Sequence, residues 1–301
     1  MFTTRQIEEL TTADGGSYFV GNLTAAYDYC QKVTNEHYEN FPVASLLMPK
    51  KKQKHVFPVY AFARLADDIS DENPDMPVEK KEHFLNELES IFLGFNEKLG
   101  NPILLALRNT IYELKLPELP FIKLLNAFRR DVFFSQAESY EELLDYCNNS
   151  ADPVGELILR LFEEYDEQNS LLSDKICTAL QLTNFWQDIS IDRKNGRCYI
   201  PAEILRKYNL PIEKYLNAEE TESFRNALDE VFDYTVSLFD SGRGLIPLIK
   251  SRRLRTELKL TILGGEAVLK KCRRLSVKLF YERPKLTRLD FFLIFVSSFR
   301  F

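Results

Sequence analysis

Eleven glycines and thirteen prolines in 301 residues are too few turn formers for the many short strands of a sandwich or barrel. A chain of this length and turn content is therefore expected to be built from long helices. Phe84, Leu85, Leu88, Ile91, Phe92 and Phe95 show the matching period, recurring every three or four residues. Asn22 or Thr24 is expected to cap a first helix running to about residue 38, and a second covers about 54–72. Pro77 suits the first position of a third, with further helices at about 102–115 and 120–135. Ser139 and Glu142 make a capping box for a helix over 140–150, and Asp152-Pro153 opens another. One long helix is expected over 169–191, a short one after Pro201, a long one over 218–249, and two more beyond. Residues 1–20 read as loop and 287–301 as an apolar and basic tail. There is no alternating strand pattern, Gly-rich phosphate loop, repeat or Pro/Gly/Ser linker. The expectation is a single all-α domain over 1–301, a large helical bundle around a central cavity.

The chain is 45% hydrophobic and 28% charged, which excludes disordered, collagenous and coiled-coil classes. Its charge is uneven. Residues 242–301 hold fifteen Lys and Arg against four Asp and Glu, so residues 1–241 carry −17 of the formal −6 total. Such a skew suits an anionic partner near the C-terminal end, although solvated helix faces give the same pattern. Nucleic acid is not expected, because no recognised binding module accompanies the basic region. Five scattered cysteines without metal spacing fit a reducing cytoplasm. The N-terminus MFTTRQIEEL lacks an apolar signal core. The apolar run FFLIFV is far shorter than the ~20 residues of a spanning helix. A peripheral contact of this tail with the inner face of a membrane remains a reading of the same residues.

Two acidic segments carry the chemistry. In YAFARLADDISDE, Asp67 and Asp71 are four apart, with Asp68 beside them. In QLTNFWQDISIDRKNGR, Asn184, Asp188 and Asp192 repeat at the same spacing. On helices each set shares one face. Like charges one turn apart destabilise a helix, and both sets sit among apolar residues, so a compensating cation is expected. Hard oxygen ligands suit Mg²⁺, which bridges carboxylates to substrate phosphates. An acidic solvent face is the plainer account of one pair; repetition favours a shared metal. Arg64, one turn before Asp68, suits a phosphate oxygen. Metal-bound diphosphate is a good leaving group, and Tyr60, Tyr146, Phe41, Phe185 and Tyr199 are candidates to face the resulting carbocation. His37 and His55 read as hydrogen-bonded or exposed, Trp186 as core, and Lys50–Lys54 as a solvated turn.

At these residues the chain resembles the squalene/phytoene synthase family of all-α isoprenoid (terpenoid) synthases, over roughly residues 22–290. The family's first aspartate motif matches Asp67, Asp68 and Asp71. Its second matches Asp188 and Asp192, with Gln181 and Asn184 before them and Arg197 and Tyr199 after. HYENF looks like the family's N-terminal substrate segment, placing His37, Asn40 and Phe41. The diphosphate-contacting pair falls on Tyr60 and Arg64, and YCNNSADPVGE places Tyr146, Val154 and Gly155 at the cavity. ENFPVAS, SADPVG and LTNFWQD are similar to the bacterial hopanoid-pathway branch. There one protein makes presqualene diphosphate, a second ionises it and admits water to give hydroxysqualene, and a flavin enzyme reduces that to squalene. The resemblance implies two or three Mg²⁺ ions bridging a C30 prenyl diphosphate, no nicotinamide, and association with neighbouring pathway enzymes.

Three positions depart from the family pattern. Gln187 stands where many condensing members carry Arg, Asn40 replaces a Ser, and Val277 stands where a Tyr is expected. The loss of a cation at Gln187 favours a substrate with one diphosphate. The leading expectation is Mg²⁺-dependent ionisation of presqualene diphosphate with water capture. A second is head-to-head condensation of two farnesyl or geranylgeranyl diphosphates to squalene, dehydrosqualene or phytoene. A third is a non-catalytic helical protein that docks on a membrane or assembles with pathway enzymes; the intact aspartate motifs argue against it.

Overall fold

A computed structural model describes residues 1–36, 50–70, 76–94 and 99–298. Among these residues the regular elements are all helical, with no strand. The chain divides into two compact units, one of residues 1–133 with 157–163, the other of residues 134–156 with 164–301.

The first unit holds α1 (Thr4–Leu10), α2 (Leu23–Glu36), α3 (Lys50–Ser70), α4 (Val78–Leu93), α5 (Pro102–Leu114) and α6 (Leu119–Val132). Helix α3 buries Phe57, Ala61, Phe62, Leu65, Ala66 and Ile69, a 3.6-residue stripe. Its core partners include Leu85 and Leu88 of α4, Leu104 and Leu107 of α5, and Phe121 and Leu125 of α6. The Phe62 ring meets Phe121 edge-on at 5.7 Å between centroids, with Phe92 completing the cluster. His55 is buried, as a hydrogen-bonded histidine: Nδ1 lies 3.1 Å from Thr110 Oγ1 and Nε2 lies 3.4 Å from Glu113. Burial pushes its pKa down.

Helix α1 corrects the expectation of loop over residues 1–20. Thr3 and Gln6 form a reciprocal capping box, and Phe2, Ile7 and Leu10 are buried. Asn101 fixes its far end: Nδ2 donates to Leu10 O at 2.6 Å, while Oδ1 accepts from Ile103 N and Leu104 N to start α5. Asn22 is the cap of α2, accepting from Ala25 N at 2.9 Å. Helix α3 opens at Lys50, four residues before the expected start, and Pro77 is the cap of α4 rather than its first residue.

The second unit holds α7 (Tyr140–Ser150), the first half of α8 (Asp152–Leu161), α9 (Glu167–Gln187), α10 (Ile189–Asp192), α11 (Ala202–Lys207), α12 (Ile212–Leu216), α13 (Glu222–Gly242), α14 (Leu245–Leu248), α15 (Arg252–Leu275) and α16 (Arg288–Ser298). Helices α9, α13 and α15 supply its packed centre, with Trp186, Phe224, Phe232 and Phe239 fully buried. Trp186 Nε1 donates to Thr235 Oγ1 at 2.9 Å, satisfying its polar atom within that core. Gly265 allows α15 to approach, since a Cβ there would lie 2.7 Å from Phe239 Cζ and 2.8 Å from Leu180 Cδ2.

Two expected long helices are shorter. The helix expected over 169–191 begins at Glu167 behind its Asp166 cap and stops at Asp188, whose φ −96° and ψ 7° leave the helical region. The helix expected over 218–249 is α13 followed by the separate turn α14. The tail from 287 is helical over Arg288–Ser298. No helix among the described residues is long and apolar enough to cross a membrane.

Candidate functional site

In the first unit, Tyr60, Arg64 and Asp67 follow one another at helical spacing on α3 and are half-buried. Arg64 Nη1 lies 3.3 Å from Asp67 Oδ2, and Nη2 lies 2.5 Å from Asp68 Oδ1. Asp68 is fully buried, and its Oδ2 accepts from the backbone N–H of Phe2. Its carboxylate therefore holds Arg64 and the N-terminal segment in place, whereas Asp67 keeps 38% of its side chain exposed. The structure brings Asp67 to a surface a cation can reach; it turns Asp68, also expected as a ligand, into the protein. Burial pushes the Tyr60 hydroxyl above its ordinary pKa, keeping it a proton-bearing donor. Asp71 lies outside the described residues, as do His37, Asn40 and Phe41.

In the second unit, the break at Asp188 does not scatter the acidic row. Asp188 N donates to Asn184 O and Asp192 N to Asp188 O, each at 2.9 Å, so the four-residue ladder runs through the break. Asn184 is exposed, and Asp188 and Asp192 are half-buried. Gly196, at φ +74°, then reverses the chain, and Arg197 N donates to Asp192 O at 2.8 Å. That reversal returns Arg197 and Tyr199 towards the row. The Tyr199 ring stacks on Phe185 at 3.8 Å and 7°, with Tyr146 5.8 Å from Phe185 on centroids. The Arg197 guanidinium stands 5.7 Å from the centre of the Phe134 ring. Gly155 permits α8 to meet α9: a Cβ there would lie 2.4 Å from Ser173 Oγ and 2.6 Å from Cys177 Sγ. Val154 and Gln181 are half-buried.

Sequence reasoning left the C-terminal cations unassigned, and one of them reaches the second row. Arg283 engages both carboxylate oxygens of Asp188, through Nε and through Nη2 at 3.3 Å. The hydrogen bond to Asp188 pushes the Arg283 pKa further up. Gln187 steadies the same segment, donating from Nε2 to Pro284 O at 2.7 Å. The positive balance of residues 242–301 was the available signal; the 95-residue separation hid the partner.

In each unit the donors fit magnesium. Asp67 in the first, and Asn184, Asp188 and Asp192 in the second, offer oxygen atoms, Asp188 and Asp192 sit four residues apart, and none is sealed in the core. Among the described residues no group of three or more His, Cys, Asp or Glu is already gathered as a metal cluster. An oxygen-lined row beside stacked aromatic rings and fixed guanidinium groups suits diphosphate departure followed by carbocation chemistry.

Comparison with known proteins identifies the family. The family described as squalene/phytoene synthase matches residues 34–290. The hydroxysqualene synthase of Zymomonas mobilis subsp. mobilis is 32% identical over 225 residues, 73% of this chain and 74% of that protein. The crystal structure of squalene synthase HpnC from Alicyclobacillus acidocaldarius superposes with a TM-score of 0.78 at 37% identity, covering 84% of this chain and 95% of the other. A dehydrosqualene synthase crystallised with ligand gives a TM-score of 0.80 at 25% identity, over 92% of this chain and 96% of that one.

Proposed function

The chain belongs to the squalene/phytoene synthase family and has the all-helical isoprenoid synthase fold of its solved neighbours; from that premise we propose that it ionises presqualene diphosphate and lets water capture the cation, giving hydroxysqualene. The observation that carries the choice of step is Gln187. Its amide is tied to the Pro284 carbonyl and adds no positive charge beside Asp188, which among the described residues pairs with Arg283. A motif without a cation at residue 187 suits one diphosphate rather than two. The relatives named hydroxysqualene synthase support the same reading.

Asp67, Asp71, Asp188 and Asp192, assisted by Asn184, would hold Mg²⁺. When bound, magnesium supplies Lewis-acid stabilisation of the charge that gathers on the leaving diphosphate. Arg64, Tyr60 and Arg197 would donate hydrogen bonds to diphosphate oxygens, Arg64 being preset by Asp67 and Asp68. His37, Asn40 and Phe41, with Gln181, Val154 and Gly155, shape the substrate's path. The carbon–oxygen bond breaks with its electron pair leaving on diphosphate. The faces of Tyr146, Phe185 and Tyr199 stabilise the cation, and the apolar surroundings keep bulk water from it. One water oxygen then bonds to the cation and releases a proton. Substrate and product are C30 lipids, so this reading also seats the enzyme against a membrane and beside the enzymes that make and reduce these lipids.

The test is product identification by mass. Purified protein with presqualene diphosphate and Mg²⁺ is expected to give hydroxysqualene, and excess chelator to stop it. A C30 product from farnesyl diphosphate alone would replace this reading by condensation. Equal turnover in chelator would remove the metal from it.

A further inference from the structure

Helix α16 presents an apolar surface that stays largely exposed among the described residues. Leu289, Phe291, Phe292, Leu293 and Phe295 are each between 53% and 65% exposed, within eleven helical residues. Single exposed hydrophobics are ordinary; five large ones in three turns form a patch. This is not a frayed end. Thr287 and Asp290 cap the helix reciprocally, Asp290 Oδ2 accepting from Thr287 N at 2.6 Å and Thr287 Oγ1 from Asp290 N at 3.3 Å. Lys271 Nζ lies 2.6 Å from Asp290 Oδ2, and with Thr287 it holds that carboxyl well below the usual carboxylate range. At the other end Lys259 Nζ donates to Ser298 O at 3.5 Å. Because Lys271 meets residue 290 and Lys259 meets residue 298, α16 lies antiparallel along α15, held by one side.

Cations bracket the patch lengthwise. At or beyond the Lys271 end stand exposed Lys270, Arg274 and Lys285; beyond the Lys259 end stand exposed Arg252 and Arg253, about 10 Å further along α15. The acidic side chains of the same stretch are largely spent. Asp290 is paired with Lys271, Glu266 with Arg243, and Glu257 is desolvated, leaving Glu282 exposed. An eleven-residue helix is about 16 Å long, half of what crossing a hydrocarbon core needs.

We infer that this face of α16 docks on an anionic lipid bilayer, with the helix lying in the plane of the interface, its phenylalanines entering the acyl boundary and the flanking cations meeting lipid headgroups. The inference deepens the lipid-synthase reading by naming the surface and the charge of the membrane it meets.

Vesicle sedimentation tests it without substrate, so its failure leaves the catalytic reading standing, and failure of that reading leaves this one. The protein is expected to bind phosphatidylcholine vesicles containing 30 mol% phosphatidylglycerol at least about tenfold better than pure phosphatidylcholine vesicles. The F291S/F292S/F295S variant is expected to lose at least about tenfold of that binding, with unchanged circular dichroism and unchanged turnover of detergent-dispersed substrate. The R252Q/R253Q/K285Q variant is expected to lose the preference for phosphatidylglycerol. Should the serine variant not fold, F292W reads the same contact, its emission shifting to the blue on phosphatidylglycerol vesicles. No vesicle binding, equal binding by the serine variant, or an unshifted F292W emission overturns the inference. A wild-type dimer that the serine variant turns into monomer overturns it too, assigning the face to a second copy of the chain.

Discussion

Removal of the Asp68 carboxylate separates an internal counter-ion from a metal ligand. Asp68 is fully buried, with Arg64 Nη2 and the Phe2 N–H each at 2.5 Å from one of its oxygens. Asp68→Ala removes one of the carboxylates that meet a guanidinium whose side chain is 9% exposed, and takes an acceptor from the Phe2 N–H. Breaking a buried pair by deleting one partner costs about 3–5 kcal/mol, and orphaning a buried donor about 1–3 kcal/mol. Asp67, 3.3 Å from Arg64, recovers part of this, so we expect a loss of about 3 kcal/mol. Urea unfolding followed by far-ultraviolet circular dichroism reads it; with a slope of about 3 kcal/mol/M the midpoint falls by about 1 M. Asp67→Ala, at a half-open ion pair, is expected to cost less than about 1 kcal/mol while lowering turnover and Mg²⁺ affinity. The reasoning is refuted if Asp68→Ala unfolds at the wild-type midpoint and loses Mg²⁺ binding as Asp67→Ala does.

Two further outcomes follow from packing and burial. Glu257 is half-buried, its Oε2 has no hydrogen-bond partner among the described residues, and desolvation pushes its pKa up to about 7 from 4.5. The folded state then binds more protons than the unfolded chain between pH 4.5 and 7, so this stability is present at low pH and is lost as pH rises through 7. Glu257→Gln is expected to raise stability at pH 8 by up to about 3 kcal/mol and to flatten the fall in thermal midpoint between pH 5 and 8; a parallel pH profile in both proteins contradicts it. Gly155→Ala places a methyl 2.4 Å from Ser173 Oγ and is expected to cost about 1–3 kcal/mol, with part recovered in Gly155→Ala/Ser173→Ala; equal urea midpoints of the two variants would show that the contact is not the cause.

Where a local signal is strong, the chain announces its structure. Asn101-Pro102 starts α5, Ser139 starts α7, and both helices run as their residues indicate. Burial of Trp186 follows from its apolar neighbours in the same way. Helix α1 was missed because two buried residues in seven make no period, although its T-x-x-Q cap was present. The break at Asp188 carries no glycine or proline to mark it. The inward turn of Asp68 was legible in part, since Ala61 and Leu65 point the same stripe towards it; the charge obscured the period. Arg283 was beyond any local rule, because the fold brings it to Asp188 across 95 residues.

The early stop of α9 has an electrostatic consequence. Peptide dipoles aligned along its 21 residues leave the equivalent of about half a negative charge at the terminus. Asp188 stands at that terminus, so carboxylate and macrodipole add with the same sign. A helix running on through Asp192 would have moved this negative pole a turn away. Ending where it does, α9 draws cations to the acidic row, Arg283 among them, and repels a bare diphosphate that arrives without its own counter-charge.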